Sequence, residues 1–132
     1  MSIGALQRDL ANSIVDDCPF DGWERIVADI EIAVDNDECL LDTLSFAVIR
    51  DDGGHLTNPY FEMSPKTHWS AIEFYKDRLQ FNGRKISGIA FEMREDGQYS
   101  FDMNYEKPER LNGVVKSRKA DRLANYLQAY RR

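Results

Sequence analysis

The stretch from Ser87 to Tyr105 constrains the fold of this chain more than any other, because its apolar and polar residues alternate on both sides of a single turn signal. A period of two is typical of β-strands that bury one face, and Asp96-Gly97 between the two halves is typical of a hairpin turn. The apolar members of the alternation are Ile89, Phe91 and Met93 before the turn and Tyr99, Phe101, Met103 and Tyr105 after it. We therefore predict a β-hairpin over this stretch.

The length of the turn decides whether the two apolar sets share one face of the hairpin. A two-residue turn would place Glu92 opposite Phe101, a charge against an aromatic ring. A three-residue loop over residues 95–97, with Gly97 in the left-handed conformation, places Phe91 opposite Phe101 instead. We predict the three-residue loop and one continuous apolar face. Burial of its seven side chains is worth roughly 10–20 kcal/mol as an upper estimate, so a helix is expected to cover it.

Periodicities elsewhere in the chain predict three helices and further strands. Before the hairpin we predict a helix over residues 3–16, followed by strands over Arg25–Asp35 and Thr43–Arg50. A short strand near His55–Phe61, broken by Pro59, is expected next. We then predict a helix from Pro65 to about Leu79 that buries Trp69, Ile72, Tyr75 and Leu79. After the hairpin we predict a helix over Lys116–Tyr130 that buries Ala120, Leu123, Leu127 and Tyr130. The fold class is therefore α+β, one domain over residues 1–132 with a single antiparallel sheet of four or five strands and helices packed on it, in the order α-β-β-(β)-α-β-β-α.

Local signals place the ends of two of these helices. Ser64-Pro65 offers a hydroxyl cap followed by proline at the first helical position, and Asn82-Gly83 offers a left-handed residue at the other end. Asp16-Asp17 is unfavourable at the end of the first helix, because negative charge at a helix carboxyl terminus opposes the helix dipole. We expect that helix to end by about residue 17.

The net charge of −6 conceals two halves of opposite sign. Residues 1–63 carry fourteen Asp/Glu and three Lys/Arg, whereas residues 64–132 carry nine and fourteen. An acidic half repels nucleic acid and anionic membranes and attracts basic protein surfaces, so we expect neither nucleic acid nor a membrane as a partner. An acidic surface that serves only solubility explains the same numbers equally well. Without a long apolar run or a signal-peptide pattern, a cytoplasmic location is expected.

Sequence motifs for catalysis or metal binding are missing. Residues 35–38 begin like a calcium loop, but Leu40 stands at the sixth position in place of Gly and Phe46 at the twelfth in place of Glu. Cys18 and Cys39 are isolated among acidic residues, with no partners at metal-ligand spacing and no electropositive surroundings that would make a thiol reactive. We therefore predict a protein that has no enzymatic activity, cofactor or metal.

Three features from residue 23 onward occur in an order that is known from one family. Trp23 precedes an amphipathic strand, and a middle helix follows over Trp69–Leu79. The hairpin then runs through an apolar strand, an acidic-glycine turn and an aromatic-rich strand ending in Tyr and an acid, here Phe91-Glu92-Met93, Asp96-Gly97-Gln98-Tyr99 and Asp102-Met103-Asn104-Tyr105-Glu106. In this order the chain resembles the YezG-like immunity proteins, the antitoxins of bacterial polymorphic and contact-dependent toxin systems.

The resemblance implies a non-enzymatic protein that binds a cognate toxin domain in the cytoplasm and blocks its active site. An acidic inhibitor suits a basic nuclease, because complementary fields raise association rates. The candidate contacts are acidic residues near strand ends, namely Asp35, Asp37, Glu38, Asp42, Asp51 and Asp52. Each of them could also serve only to solvate a loop. A small adaptor domain that binds another protein, with no toxin involved, is the alternative function.

Overall fold

The computed structural model describes residues 3–35, 38–83 and 85–105 of the chain, which form two helices and five strands. The elements are α1 (Ile3–Asp17), β1 (Trp23–Asp35), β2 (Glu38–Arg50), β3 (Leu56–Thr57), α2 (Pro65–Asn82), β4 (Gly88–Arg94) and β5 (Tyr99–Asn104). The predicted final helix over Lys116–Tyr130 lies outside the described residues, and so does Asp37.

All five strands form one antiparallel sheet in the order β3-β2-β1-β4-β5. The central strand β1 pairs with β2 on one side and with β4 on the other. β2 begins at Glu38, which pairs with Asp35 of β1, so these two residues lie at the tip of a long hairpin and β2 starts well before the predicted Thr43. The predicted α+β class and the order α-β-β-β-α-β-β are confirmed over the described residues.

The edge strand next to β2 is interrupted, as Pro59 predicts. β3 is only two residues long, because proline has no N–H to give to the ladder. The chain nevertheless stays beside β2. The Pro59 carbonyl accepts a hydrogen bond from the Ala47 N–H at 3.0 Å, and the Phe61 N–H donates to the Ser45 carbonyl at 3.2 Å.

The predicted register of the β4–β5 hairpin is confirmed. The directly opposite pairs are Met93–Tyr99, Phe91–Phe101 and Ile89–Met103. Gly97 has a φ of +88°, and the Arg94 N–H donates to the Gln98 carbonyl at 2.8 Å. The loop is therefore the three residues 95–97, with the glycine in the left-handed conformation that the turn requires.

Replacing Gly97 by alanine is expected to lower the free energy of unfolding by about 1 kcal/mol, because an L side chain is strained at positive φ. Among the described residues nothing lies within 4 Å of an added Cβ except chain neighbours, so backbone strain alone accounts for the loss. Urea unfolding measures it, with Gly4→Ala in α1 as the matched control. Alanine is the better helix former, so Gly4→Ala should cost nothing, and equal losses in both variants would contradict the prediction.

One face of the sheet is covered by both helices. Their buried residues and those of the strands form a single apolar cluster, whose largest contributions are Leu10 and Ile14 from α1, Phe74 and Tyr75 from α2, Ile26, Ile30 and Ile32 from β1, and Ile89, Phe91 and Met93 from β4. This is the helical cover that the hairpin predicts. Tyr99 and Tyr105, which the prediction counted as buried, are exposed, because β5 is the edge strand.

The ends of α2 are where the capping signals predict them. The Ser64 hydroxyl accepts a hydrogen bond from the Thr67 N–H, and Gly83, at a φ of +70°, donates its N–H to the Leu79 carbonyl at 2.8 Å. The helix runs three residues past Leu79, to Asn82. Within the described part of the chain, neither helix is long and apolar enough to cross a membrane.

The buried stripe of α2 differs from the predicted one, which was wrong for Trp69. The indole is 60% exposed, and the buried positions are Thr67, Ala71, Phe74 and Tyr75. The polar Thr67 faces inward because its hydroxyl lies 2.6 Å from the Ser13 hydroxyl of α1. The contact between the two helices therefore sets the rotation of α2, and Trp69 is left on the surface.

The apolar sets of β1 and β2 lie on opposite faces of the sheet. Ile26 pairs with Ala47 and Val27 pairs with Phe46, so Leu44, Phe46 and Val48 lie on the face away from the helices. We call this second face the outer face. Its members are Arg25, Val27, Asp29 and Glu31 of β1, Asp42, Leu44, Phe46 and Val48 of β2, Gly88, Ala90, Glu92 and Arg94 of β4, and Ser100, Asp102 and Asn104 of β5.

Candidate partner-binding surfaces

The predicted acidic contacts do not form one surface. Asp35 and Glu38 lie at the tip of the β1–β2 hairpin, whereas Asp51 and Asp52 follow the other end of β2. At about 3.3 Å per residue, the thirteen residues of β2 separate the two pairs by up to roughly 40 Å. Asp42 lies between them, on the outer face. A partner that contacted only one end of β2 would meet only part of the set.

Asp51 has a structural role in the β2–β3 turn. Its Oδ1 atom accepts hydrogen bonds from the backbone N–H groups of Gly53 at 2.9 Å and His55 at 2.8 Å. A carboxylate that closes a turn in this way is already engaged, so Asp51 is a poor candidate for a partner contact. Asp52 and Glu38 are exposed and keep their carboxylates at the surface.

A second acidic group was missed by the search for residues near strand ends, because its members come together only across strands. Glu31 lies directly opposite Asp42. Asp29 lies two residues before Glu31 in β1 and therefore on the same outer face. The same face carries Glu92, which pairs with Arg25, and Asp102. The alternation of Asp29 and Glu31 with buried Ile residues was the available signal. Within the described residues, no three acidic, Cys or His side chains are placed to hold one metal ion.

A groove of about 510 Å³ lies between α1 and α2, on the surface of the helical layer. We call it the Trp69 groove, after the exposed indole on its wall. Its remaining lining includes three carboxylates, Asp9, Asp16 and Glu73, together with Leu6 and Lys66. The Lys76 ammonium lies 5.9 Å from the centre of the indole ring, within range of a cation–π contact.

Hydrogen bonds in a half-buried site join the two walls of the Trp69 groove. The Asp17 carboxylate, at the end of α1, accepts hydrogen bonds from the Ser64 N–H at 2.9 Å and from the Thr67 hydroxyl at the start of α2. The negative charge that opposes the dipole of α1 therefore lies at the amino terminus of α2, where it is favourable. These hydrogen bonds join the end of α1 to the start of α2 and so hold the two walls of the groove next to each other.

Cys18 lacks the surroundings that make a thiol reactive. Both Cys18 and Cys39 are half-buried free thiols, and the Cys18 sulfur donates a weak hydrogen bond to the Phe20 carbonyl. Burial raises the pKa of the Cys18 thiol, so little thiolate forms near neutral pH. A nucleophilic cysteine requires the opposite shift.

Among the described residues, the candidate surfaces for a partner are the Trp69 groove with its exposed indole and the two acidic ends of β2. The resemblance to immunity proteins rests on the hairpin pattern and the order of elements around it. No protein-family model matches the chain, and no curated protein matches it at a significant level.

Proposed function

We propose that this protein is an immunity protein of the cytoplasm that binds and neutralises a cognate toxin domain without catalysis of its own. The observation that supports this most is the exposed Trp69 in a groove rimmed by carboxylates. Large exposed indoles cost solubility, and Trp is the residue type most enriched among energetic hot spots of protein interfaces. A groove with such an anchor suits the capture of another protein.

Charge favours a basic partner. Residues 106–132 carry eight of the 17 Lys/Arg and three of the 23 Asp/Glu, which leaves nine and twenty in residues 1–105, a balance of −11. With residues 106–132 included the chain still carries a net charge of −6, and a net negative protein attracts a basic surface over a long range and speeds its association. A toxin domain that cleaves nucleic acid needs a basic surface for its own substrate, so a nuclease fits this chemistry.

Within this proposal the residues of the Trp69 groove have different roles. Trp69 inserts into the toxin and supplies affinity by desolvation of its ring. Asp9, Asp16 and Glu73 lie at the rim, where charges mainly change the association rate. Glu38 and Asp52, two exposed members of the predicted set, add to the long-range field.

Growth rescue is the primary test of the function. The open reading frame next to the gene is expressed alone and together with this protein in a sensitive host, and rescue of growth is expected only in the second case. Purification of the pair should yield a stoichiometric complex. A neighbouring product that is not toxic, or whose toxicity is unchanged by co-expression, would remove the immunity function.

Replacing Trp69 by alanine is expected to weaken toxin binding at least tenfold, about 1.4 kcal/mol or more, because the anchor is lost. Isothermal titration measures the dissociation constant. The control is Phe81→Ala, which removes an even more exposed aromatic ring from the far end of the same helix and should leave affinity unchanged. Equal affinities for wild type and Trp69→Ala would place the interface elsewhere.

A small adaptor domain is the second candidate. Lys66 and Lys76 beside Trp69 offset part of the rim charge, and a mixed-charge rim also suits a partner that is not basic. The same experiments separate the two functions. An adaptor forms a complex that depends on Trp69 with a partner whose expression is harmless to the host.

A further inference from the structure

The β2 part of the outer face is buried although both described helices pack on the other face of the sheet, whereas Ala90, Ser100 and Asp102 on β4 and β5 are exposed. Val48 and Phe46, at 0% and 4% exposure, are as inaccessible as the residues beneath the helices. The Tyr60 ring covers part of this surface, with its centre 5.7 Å from that of Phe46. A single tyrosine is too small to bury a row of side chains along β2, so the burial there requires a further covering layer over the β2 part of the outer face.

The charges of the outer face specify what this layer carries. Glu31 and Asp42 are directly opposite each other, and like charges in that position repel. Glu31 is only 6% exposed, and a buried carboxylate is tolerated when a cation or hydrogen-bond donor meets it. Asp29 and Asp102 add to the same field. The covering layer is therefore apolar where it meets β2 and basic where it meets the carboxylates.

Residues 106–132 have this chemistry. They carry eight Lys/Arg against three Asp/Glu, a balance of +5 beside the −11 of residues 1–105. Their predicted helix has basic residues at its start, Lys116, Arg118, Lys119 and Arg122, and an apolar stripe at spacings of three and four, Ala120, Leu123, Leu127 and Tyr130. We propose that the segment 106–132 of this chain docks on the outer face, with its stripe against β2 and its basic residues against Glu31 and Asp42.

Residues 106–115, which connect β5 to the predicted final helix, are long enough to reach β2. β5 ends at Asn104, which lies in the same row across the sheet as Gly88, Glu31 and Asp42. β5 and β2 are three strand spacings apart, about 14 Å. Residues 106–115 can span up to about 33 Å when extended, so the segment can leave β5 and return over β2.

This arrangement places helices on both faces of the sheet and gives the outer face a structural role. It makes Asp42 an internal ion-pair residue instead of a toxin contact, and it leaves the Trp69 groove as the surface for a partner. The inference stands apart from the proposed function, because it concerns only contacts within the chain.

Photo-cross-linking in the full-length protein tests the docking. A benzophenone amino acid replaces Leu123, or Asn125 as the matched control, which lies about 200° further around a helix and so on its opposite side. Cross-links from position 123 are expected to map to β1 and β2 residues of the outer face, and position 125 should lose them. Equal parts of ¹⁴N- and ¹⁵N-labelled protein distinguish links within a chain from links between copies. Links to α1 or α2, or links only between copies, would overturn the proposal.

Reversing the charge of basic residues in the segment 106–132 tests their pairing with Glu31 and Asp42 independently of the cross-links. Lys116→Glu with Lys119→Glu is expected to raise the equilibrium constant for unfolding at least about tenfold, since cations that meet buried carboxylates are lost. Arg131→Glu with Arg132→Glu is the control with the same change of net charge beyond the stripe, and it should have little effect. Urea unfolding measures both variants.

Rescue completes this test. The double change Glu31→Lys with Asp42→Lys reverses the charge at this place on the outer face. Combined with Lys116→Glu and Lys119→Glu, it should restore most of the stability that those two changes remove. A combined variant that is no more stable than the segment variant alone would overturn the pairing of these residues.

Discussion

Replacing Phe91 by alanine is expected to lower the free energy of unfolding by about 3–5 kcal/mol, the usual cost of deleting a fully buried phenylalanine ring. Phe91 is 1% exposed and lies on β4, directly opposite Ala28 of β1 and Phe101 of β5. Its ring centre is 4.9 Å from that of Phe101. Ala28 is too small to fill the space that the ring would vacate, so the cavity should persist.

The control for this change is Phe81→Ala. Phe81 is 77% exposed near the end of α2, and its one described ring contact is the Arg78 guanidinium 4.7 Å from the ring centre. An exposed cation–π contact is worth about 0.5–1 kcal/mol, so the loss should be no larger than that. Chemical denaturation with a common slope for both variants measures the difference. Similar losses in the two would mean that the hairpin face is not part of the core.

The hairpin could be predicted because its determinants are local. Alternation fixes which side chains share a face, and a glycine at the left-handed position selects the loop length. Phe91 therefore lies opposite Phe101 for reasons contained in fewer than twenty residues. The caps of α2 were equally local, since Ser64 and Gly83 act on backbone groups within one turn.

The rotation of α2 could not be predicted from its own sequence. Hydrophobicity favours burial of Trp69, but the buried position is taken by Thr67, whose hydroxyl meets Ser13, 54 residues away in the chain. A hydrogen bond between distant side chains is absent from any local periodicity. The exposed indole, on which the proposed function depends, was for that reason invisible at the sequence level.

For the acidic candidates, too, the sequence predicted local position but not the contacts between strands. The sequence shows that Asp35, Asp42 and Asp52 lie in or near the ends of strands, but not how the strands pair. The register of β1 against β2 decides that Asp42 meets Glu31 on the outer face, whereas Asp52 lies far along the strand in a turn. Cross-strand register depends on the packing of both faces, and the second face became evident only from the pairing of Val27 with Phe46.

Replacing Thr67 by valine is expected to lower the free energy of unfolding by about 2–4 kcal/mol, although valine has nearly the same shape. Thr67 is fully buried, and its hydroxyl contacts three side chains at once, the Ser13 and Ser64 hydroxyls and the Asp17 carboxylate. Valine removes a partner from the buried Ser13 hydroxyl and from the half-buried Asp17 carboxylate, which keeps the Ser64 N–H, and a lost hydrogen bond to a charged group costs more than one to a neutral group. The same hydroxyl joins α1 to α2, so the walls of the Trp69 groove should loosen together with the loss of stability.

Two controls separate the hydroxyl from the rest of the side chain. Thr67→Ser keeps the hydroxyl and removes one methyl group, so it should cost only about 1 kcal/mol. Thr57→Val makes the same isosteric change at an exposed hydroxyl on the edge strand β3, where the cost should stay within about 0.5 kcal/mol. Urea unfolding ranks the three variants. If Thr67→Val were no more costly than Thr57→Val, the link between the helices would be dispensable, and the rotation that exposes Trp69 would need another cause.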